Sequence, residues 1–295
     1  MKQRERRART HATNLLDSVG ITEYPVEPAA IAAHKGLRLL ERPLGPGVYG
    51  ALAKAGGEFL ILVSPDCPTS GHRRFTIAHE LGHFHLPGHV EEMFAGGGDA
   101  VVPSVAGHFR GGATEIEREA DWFASELLAP GGWATPHVEA LDPCVGSLKA
   151  LAAEFDTSLT MMALRYCELS DEPVAAVLSK GGIVEWTVGS ERLREHRWSW
   201  SLRPGDPLPA GTVSAALGKD RKAVGRMEER SGMGPLCSWF ERGPEDFGVE
   251  EDALGLGASG RLLSFLVVPD LPEPAELEGE PADDPATWKD ALRGF

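Results

Sequence analysis

The sequence lacks any apolar run near the ~18 residues that a membrane-spanning helix requires; its longest compact one, Phe59 to Val63, has the length of a strand. Cysteine is scarce. Cys67, Cys144, Cys167 and Cys237 lie far apart with no C-x-x-C pair, which excludes a disulfide framework and a Cys-rich zinc module. Positive charge is in deficit, with 29 Lys plus Arg against 44 Asp plus Glu and a formal net charge of −15. A chain of that charge does not coat nucleic acid through its net field. A secretion signal is also missing: the basic start MKQRERRART runs into the helix-like THATNLLDSVG, not into an apolar core. A cytoplasmic protein with no membrane partner is the expectation. No internal repeat is present.

What is there is an ordinary globular composition. With 42% hydrophobic and 25% charged residues, 295 residues suffice for about two domains of ~100–200 residues each. Residues 3–18 read as an amphipathic helix with Leu15, Leu16 and Val19 on its apolar face, ended by Gly20, and 27–35 as a short second helix. Strand signals follow at Leu37–Leu40, Val48–Ala53 and Phe59–Val63. The last two flank a hairpin turn at Ala55-Gly56-Gly57. A helix is predicted from about His72 to Leu86, stopped by Pro87-Gly88. The Gly-rich stretch 88–114 has no helical period and reads as a long loop containing one apolar piece, Val101–Val105. Glu115 to Leu128 is a strong helix. Residues 146–169 read as helix, break at Asp156-Thr157-Ser158, helix. Beyond about 173 the pattern turns to strands at Val174–Leu178, Ile183–Val188, Trp198–Leu202 and Leu262–Val268. After Pro269 the chain is acidic and Pro-rich, and a disordered tail is expected there.

One constellation carries chemistry. His79-Glu80-Leu81-Gly82-His83 fits H-E-x-x-H within the predicted helix. Residues i and i+4 share a helix face, so both imidazoles can bind one zinc ion, with Glu80 close enough to hold a water. A carboxylate there takes the proton of an acidified water and passes it to a leaving amine. Five residues with three fixed positions arise by chance in many proteins, so the context must decide. A sheet edge is expected to pass close to Gly82, the small residue between the two His. Two candidates compete for third ligand. His89 has the metzincin spacing, but Leu86 stands where that pattern needs its turn glycine. Glu117 lies on the next strong helix, and in Glu117-Arg118-Glu119-Ala120-Asp121 it is one turn from Asp121, which can accept a hydrogen bond from a ligand imidazole. The spacing favours Glu117, because one geometry accounts for two residues. Glu115, Glu119 and Glu126 read as a solvated face of that helix, and His85 is assigned no chemistry.

The run Arg74-Phe75-Thr76-Ile77-Ala78-His79-Glu80-Leu81-Gly82-His83, followed by Glu117-Arg118-Glu119-Ala120-Asp121-Trp122-Phe123-Ala124-Ser125-Glu126-Leu127-Leu128-Ala129-Pro130, resembles the ImmA/IrrE family of zinc metallo-endopeptidases. That family reads roughly R-F-T-x-A-H-E-x-x-H, then E-x-E-A-N-x-F-A-x-x-L-L-x-P. The chain departs from it at Asp121, where the family has Asn, and at Ala129, often Met. Over about residues 10–170 the resemblance implies an α+β fold with a zincin-like metallopeptidase domain, a small sheet plus the HExxH helix. It implies His79, His83 and Glu117 as zinc ligands, Glu80 as general base and Asp121 behind a ligand. Mn2+ or Fe2+ suits the same ligands when zinc is scarce. It further implies a helix-turn-helix-like segment, a mixed α/β GAF-like domain that senses a signal ligand or docks a protein, and a repressor as substrate. The expected plan is 1–145 peptidase, 146–172 helix-turn-helix-like segment, 173–269 GAF-like domain and 270–295 acidic tail.

Further expectations attach to this reading. The helix-turn-helix-like stretch offers two basic residues, Lys149 and Arg165, against Glu154 and Glu168, so direct DNA binding is not expected of it. Tyr166, His108 and His137 are candidate donors to the oxyanion. The strand Val48–Ala53 is the expected edge along which a substrate peptide pairs. The competing reading is a regulatory ligand-sensing or DNA-binding protein whose zinc is structural or vestigial.

Overall fold

The computed structural model describes residues 2–104, 114–195, 199–200, 202–241, 247–269 and 271. His108 and the expected acidic tail beyond Leu271 lie outside them. The chain divides into two compact units. The first takes in the N-terminal elements, the stretch to Ala134 and Leu151–Met161; the second takes in Thr135–Ala150 and the chain from Met162 on.

In the first unit α1 (Lys2–Val19) buries Ala8, Ala12, Leu15 and Leu16, the i, i+4 stripe of an amphipathic helix. α2 (Pro28–His34) has Pro in its first turn, and the Glu27 side chain accepts from the Ala29 amide. β1 (Arg38–Glu41), β2 (Gly50–Ala55) and β3 (Glu58–Val63) follow. Gly56 and Gly57, at φ +59° and +86°, make the two-residue turn that pairs Ala55 with Glu58. α3 (Ser70–His85) starts at Thr69, whose hydroxyl accepts from the His72 amide, and stops where Leu86 turns extended ahead of Pro87. The stretch 88–114, expected to be a long loop with one apolar piece, contains α4 (His89–Met93) and β4 (Ala100–Ser104). α5 (Glu115–Leu128) matches its expected span.

The sheet order is β1-β3-β2-β4, with β1 and β3 parallel and the other pairs antiparallel. This corrects the expected substrate edge. β2 is internal, bonded to β3 on one side and β4 on the other, so the edge beside it is β4. The reason is the short apolar piece at 101–104, which found a strand partner. α3 packs on β2 and β3 and against α5, and α1 packs against α5. The close approach expected at Gly82 is also reassigned: a Cβ there would fall 2.9 Å from Phe123 Cδ1 of α5, not against the sheet. The sheet instead comes close to α3 at Gly50.

α6 (Gly131–Glu139), α7 (Val145–Glu154) and α8 (Leu159–Leu169) complete the helical part, with the α7–α8 break where the sequence put it and Asp156 at φ +48°. The second unit adds β5 (Val174–Lys180), β6 (Ile183–Gly189), α9 (Glu191–Glu195), β7 (Ser199–Trp200), α10 (Val213–Gly218), α11 (Arg221–Gly225), β8 (Glu229–Pro235), β9 (Phe240–Glu241), β10 (Gly248–Gly255) and β11 (Arg261–Val267). Among the described residues β6-β5-β11-β10-β8 is an antiparallel sheet, and β7 pairs with β9. Its core includes Val177, Leu217, Trp239, Phe240 and Leu262. β8 and β10 carried no recognised strand signal. In β10 the reason is chemical: Glu251 is buried and accepts from the Val213 and Ser214 amides at the start of α10, and Asp252 accepts from the Val145 amide at the start of α7. Helix-capping carboxylates displaced the apolar alternation.

Candidate metal centre

α3 places His79 and His83 one turn apart, on the same face. Glu117 comes from the first turn of α5, where Thr114 caps the helix by accepting from the Glu117 amide, 3.4 Å away. A carboxylate is favoured at that end by the helix dipole. Among the described residues, His79, His83 and Glu117 form a set whose ligand atoms all lie within 4.8 Å of one another and could hold a metal ion. His83 Nε2 is 3.1 Å from His79 Nε2, His79 Nε2 is 3.2 Å from Glu117 Oε2, and His83 Nε2 is 3.4 Å from Glu117 Oε1. Ligands at about 2.0–2.1 Å in a tetrahedral site lie about 3.3 Å apart, so these three fit zinc and leave a fourth position. His79 Nδ1 donates to Asp121 Oδ1 at 2.8 Å. That bond fixes which nitrogen is left to face Glu117.

The charges are arranged around that gap. Burial works against charge on His79, but the bonds to Asp121 and Glu117 outweigh it and hold the imidazole well above its ordinary value. Burial pushes Glu117 up, and the bonds from His79 and His83 reverse this, holding it well below the usual carboxylate range. Burial lowers His83 to about 4, so it stays neutral near pH 7. Without metal, therefore, a proton on His79 stands between two carboxylates where a dication would sit. A metal ion held there would have to displace it. Zinc binding at pH 6.5 is expected to release about one to two protons, and affinity is expected to rise about tenfold per pH unit for each proton released. Calorimetry in two buffers of different ionisation enthalpy measures this; binding heats that do not depend on the buffer refute it.

Glu80 is different from its neighbours. Both carboxylate oxygens are buried without a hydrogen-bond partner among the described residues. Burial pushes its pKa up to about 7, though His79 and, more weakly, the nearby Ser104 hydroxyl and Leu52 backbone, which fall short of hydrogen-bond geometry, pull the other way. It borders a cavity of about 10 Å³, lined by Gly50, Phe75, Thr76, His79, Glu80 and Ser104, which is room for about one water. Gly50 keeps that room open: a Cβ there would fall 2.6 Å from Glu80 Oε1 and 2.5 Å from Thr76 Cγ2. A buried carboxylate left unpaired is costly, which makes it a marker of function.

The other expected site residues fall elsewhere. His89 is buried on α4 with its Nδ1 3.1 Å from His83 Nδ1, behind the ligand and outside the three-residue set. Tyr166 belongs to the second unit, where its hydroxyl donates to the Leu141 carbonyl at 3.2 Å and its ring meets Phe265 edge-on. His137 lies on α6 in the second unit, and His108 is outside the described residues. Glu119 and Glu126 overturn the expected solvated face: both are buried, Glu119 against Arg4 and Arg7, Glu126 against Arg9. The missed signal was in plain view, since arginines at helical spacing in α1 face glutamates at helical spacing in α5. Arg74 of the motif is a tie, pairing with Glu27 and Asp156.

Residues 32–166 match the model of the M78 peptidase family, described as an IrrE N-terminal-like domain. Among solved structures, a Mycobacterium tuberculosis transcriptional regulator is similar, with a TM-score of 0.56 and 14% identity over 88% of this chain and 87% of that one. At that identity the likeness is one of fold. No curated protein gives a significant match.

Proposed function

We propose that this chain, whose residues 32–166 belong to the M78 peptidase family as an IrrE N-terminal-like domain, is a site-specific zinc endopeptidase that cuts a DNA-binding repressor in a stress response. The observation that carries the catalytic reading is the unpaired Glu80 carboxylate on a water-sized cavity beside three ligand atoms at metal-binding separations. A purely structural metal site has no use for that carboxylate.

His79, His83 and Glu117 would hold the metal, and Asp121 fixes the His79 ring. A zinc ion held there would supply Lewis acidity, making the attacking water more acidic and the scissile carbonyl more electrophilic. Glu80 takes the water proton as the new C–O bond forms, then gives it to the amide nitrogen as the C–N bond breaks. Atoms balance, and Glu80 ends as it began. The substrate peptide pairs with the outer side of β4, an edge of the sheet among the described residues, whose last residue, Ser104, lines the Glu80 cavity. This is a zincin-like arrangement. The second unit is a GAF-like sensing or docking domain; an antiparallel sheet with α10 and α11 packed on β10 supports that assignment.

The regulatory-protein reading draws on the fold of the transcriptional regulator. Against its DNA-binding form, Lys149 pairs with Glu229, and Arg165 is buried and bonded to Glu168. The helical pair therefore presents little charge for phosphates. The deciding experiment compares new protein N-termini in host cells expressing wild type or Glu80→Gln, with and without DNA damage. One Glu80-dependent cut in a repressor is the expected result. Identical N-termini with zinc in both proteins would overturn the proposal, and sequence-specific binding in a gel shift would favour the alternative.

A further inference from the structure

The two ligand imidazoles are backed differently. His79 donates directly to a carboxylate, Asp121. His83 faces a second imidazole, with its Nδ1 3.1 Å from His89 Nδ1. A ring that ligates through Nε2 carries its proton on Nδ1, so His83 must donate there and His89 must accept. A neutral His89 accepting at Nδ1 carries its own proton on Nε2, and that nitrogen lies 3.5 Å from Glu119 Oε2. Glu119 accepts in turn from Arg4 at 2.7 Å and from Arg7 at 3.2 Å. His89 and Glu119 are 2% and 1% exposed, whereas the two arginine side chains are about half exposed. The donor directions are therefore consistent along the whole line, from the surface of α1 to a ligand of the centre. α1 lies outside the residues matched by the family.

We propose that His89 and Glu119 are positioning residues for His83, and that α1, through Arg4 and Arg7, tunes the metal affinity of a site it does not touch. The inference rests on the reading of His79, His83 and Glu117 as the ligands. Arg4 and Arg7 hold the Glu119 carboxylate in place, Glu119 fixes the His89 tautomer, and His89 leaves His83 one orientation in which its Nδ1–H is satisfied. A bare neighbour at position 89 would strand that buried donor.

The test measures zinc affinity by competition with a chromophoric chelator, on the full chain. His89→Phe keeps the bulk and removes the acceptor; about 10–100-fold weaker binding is expected. His89→Asn puts an amide oxygen near the position of Nδ1 and is expected to recover most of that loss. The double variant Arg4→Gln/Arg7→Gln changes only half-exposed side chains and is expected to bind about fivefold more weakly. In zinc-loaded protein, a slowly exchanging His83 Nδ1–H resonance is expected in wild type and lost in His89→Phe. Equal affinity of wild type and His89→Phe would overturn the proposal, as would equal losses in His89→Phe and His89→Asn, which would mark mere packing. If His89→Phe does not fold, the arginine variant decides, and unchanged affinity there refutes the role of α1. Failure of wild type to take zinc would instead remove the ligand reading beneath.

Discussion

Glu80→Gln is expected to keep its zinc and lose hydrolysis of a peptide spanning the cleavage site by about a thousandfold, within the range of general acid–base catalysis. That is about 4 kcal/mol of barrier. The argument is one of shape against charge. Glutamine has the outline of glutamate, so the water-sized cavity and the three ligand atoms are undisturbed. It cannot take a proton, so the attacking water stays a poor nucleophile and the amine leaves without help. Burial that holds the carboxyl near 7 places it where proton gain and loss are nearly balanced, as a shuttle requires. A bound dication lowers that value, and the base is needed ionised, so activity in zinc-loaded enzyme is expected to fall on the acid side, below pH 7. Retention of most activity by Glu80→Gln would refute the assignment.

Zinc at a thousandfold excess over its dissociation constant is expected to stabilise the first unit by about 4 kcal/mol, or about 10 °C in melting temperature. His83→Ala and Glu117→Gln are each expected to abolish that increment. The comparison must be made between zinc-free and zinc-loaded samples of each variant, because removing a fully buried imidazole also leaves a cavity. Glu117→Gln separates the two ligand sets. If His89 were the third ligand, this variant would keep the full increment; His89 lies 3.1 Å behind His83, on the nitrogen away from Glu117. An undiminished shift in Glu117→Gln would overturn the ligand set.

Much of this was legible in the sequence for reasons that can be named. α5 announced itself by its apolar period and α3 by the Pro87-Gly88 stop, while the caps Thr69 and Thr114, whose hydroxyls accept free amides of the first turns, emerge from the structure. The pairing of Glu117 with Asp121 followed from one helix turn. β4 did not announce itself. It has five residues, includes Pro103, and is recognisable only once β2 offers a partner. The approach of sheet to helix was expected at Gly82 and occurs at Gly50, because a glycine on a helix can face any neighbour and the sequence does not say which. Glu119 read as a solvated side chain because its burial depends on α1 packing against α5, a long-range contact at which only the matched spacing of arginines and glutamates hints. In β10 the acidic run hid a strand, because its carboxylates answer helix amides distant in sequence.

Position 50 is a strand residue with no side chain, set over the buried Glu80 carboxylate. It separates two properties that mutagenesis of metalloenzymes usually confounds. Changing a ligand removes metal and chemistry together. A single methyl at 50 presses on Thr76 Cγ2 and Glu80 Oε1, neither of them an atom of the proposed ligand set. Gly50→Ala is therefore expected to retain zinc while losing hydrolysis, a trap for holding a partner long enough to identify it.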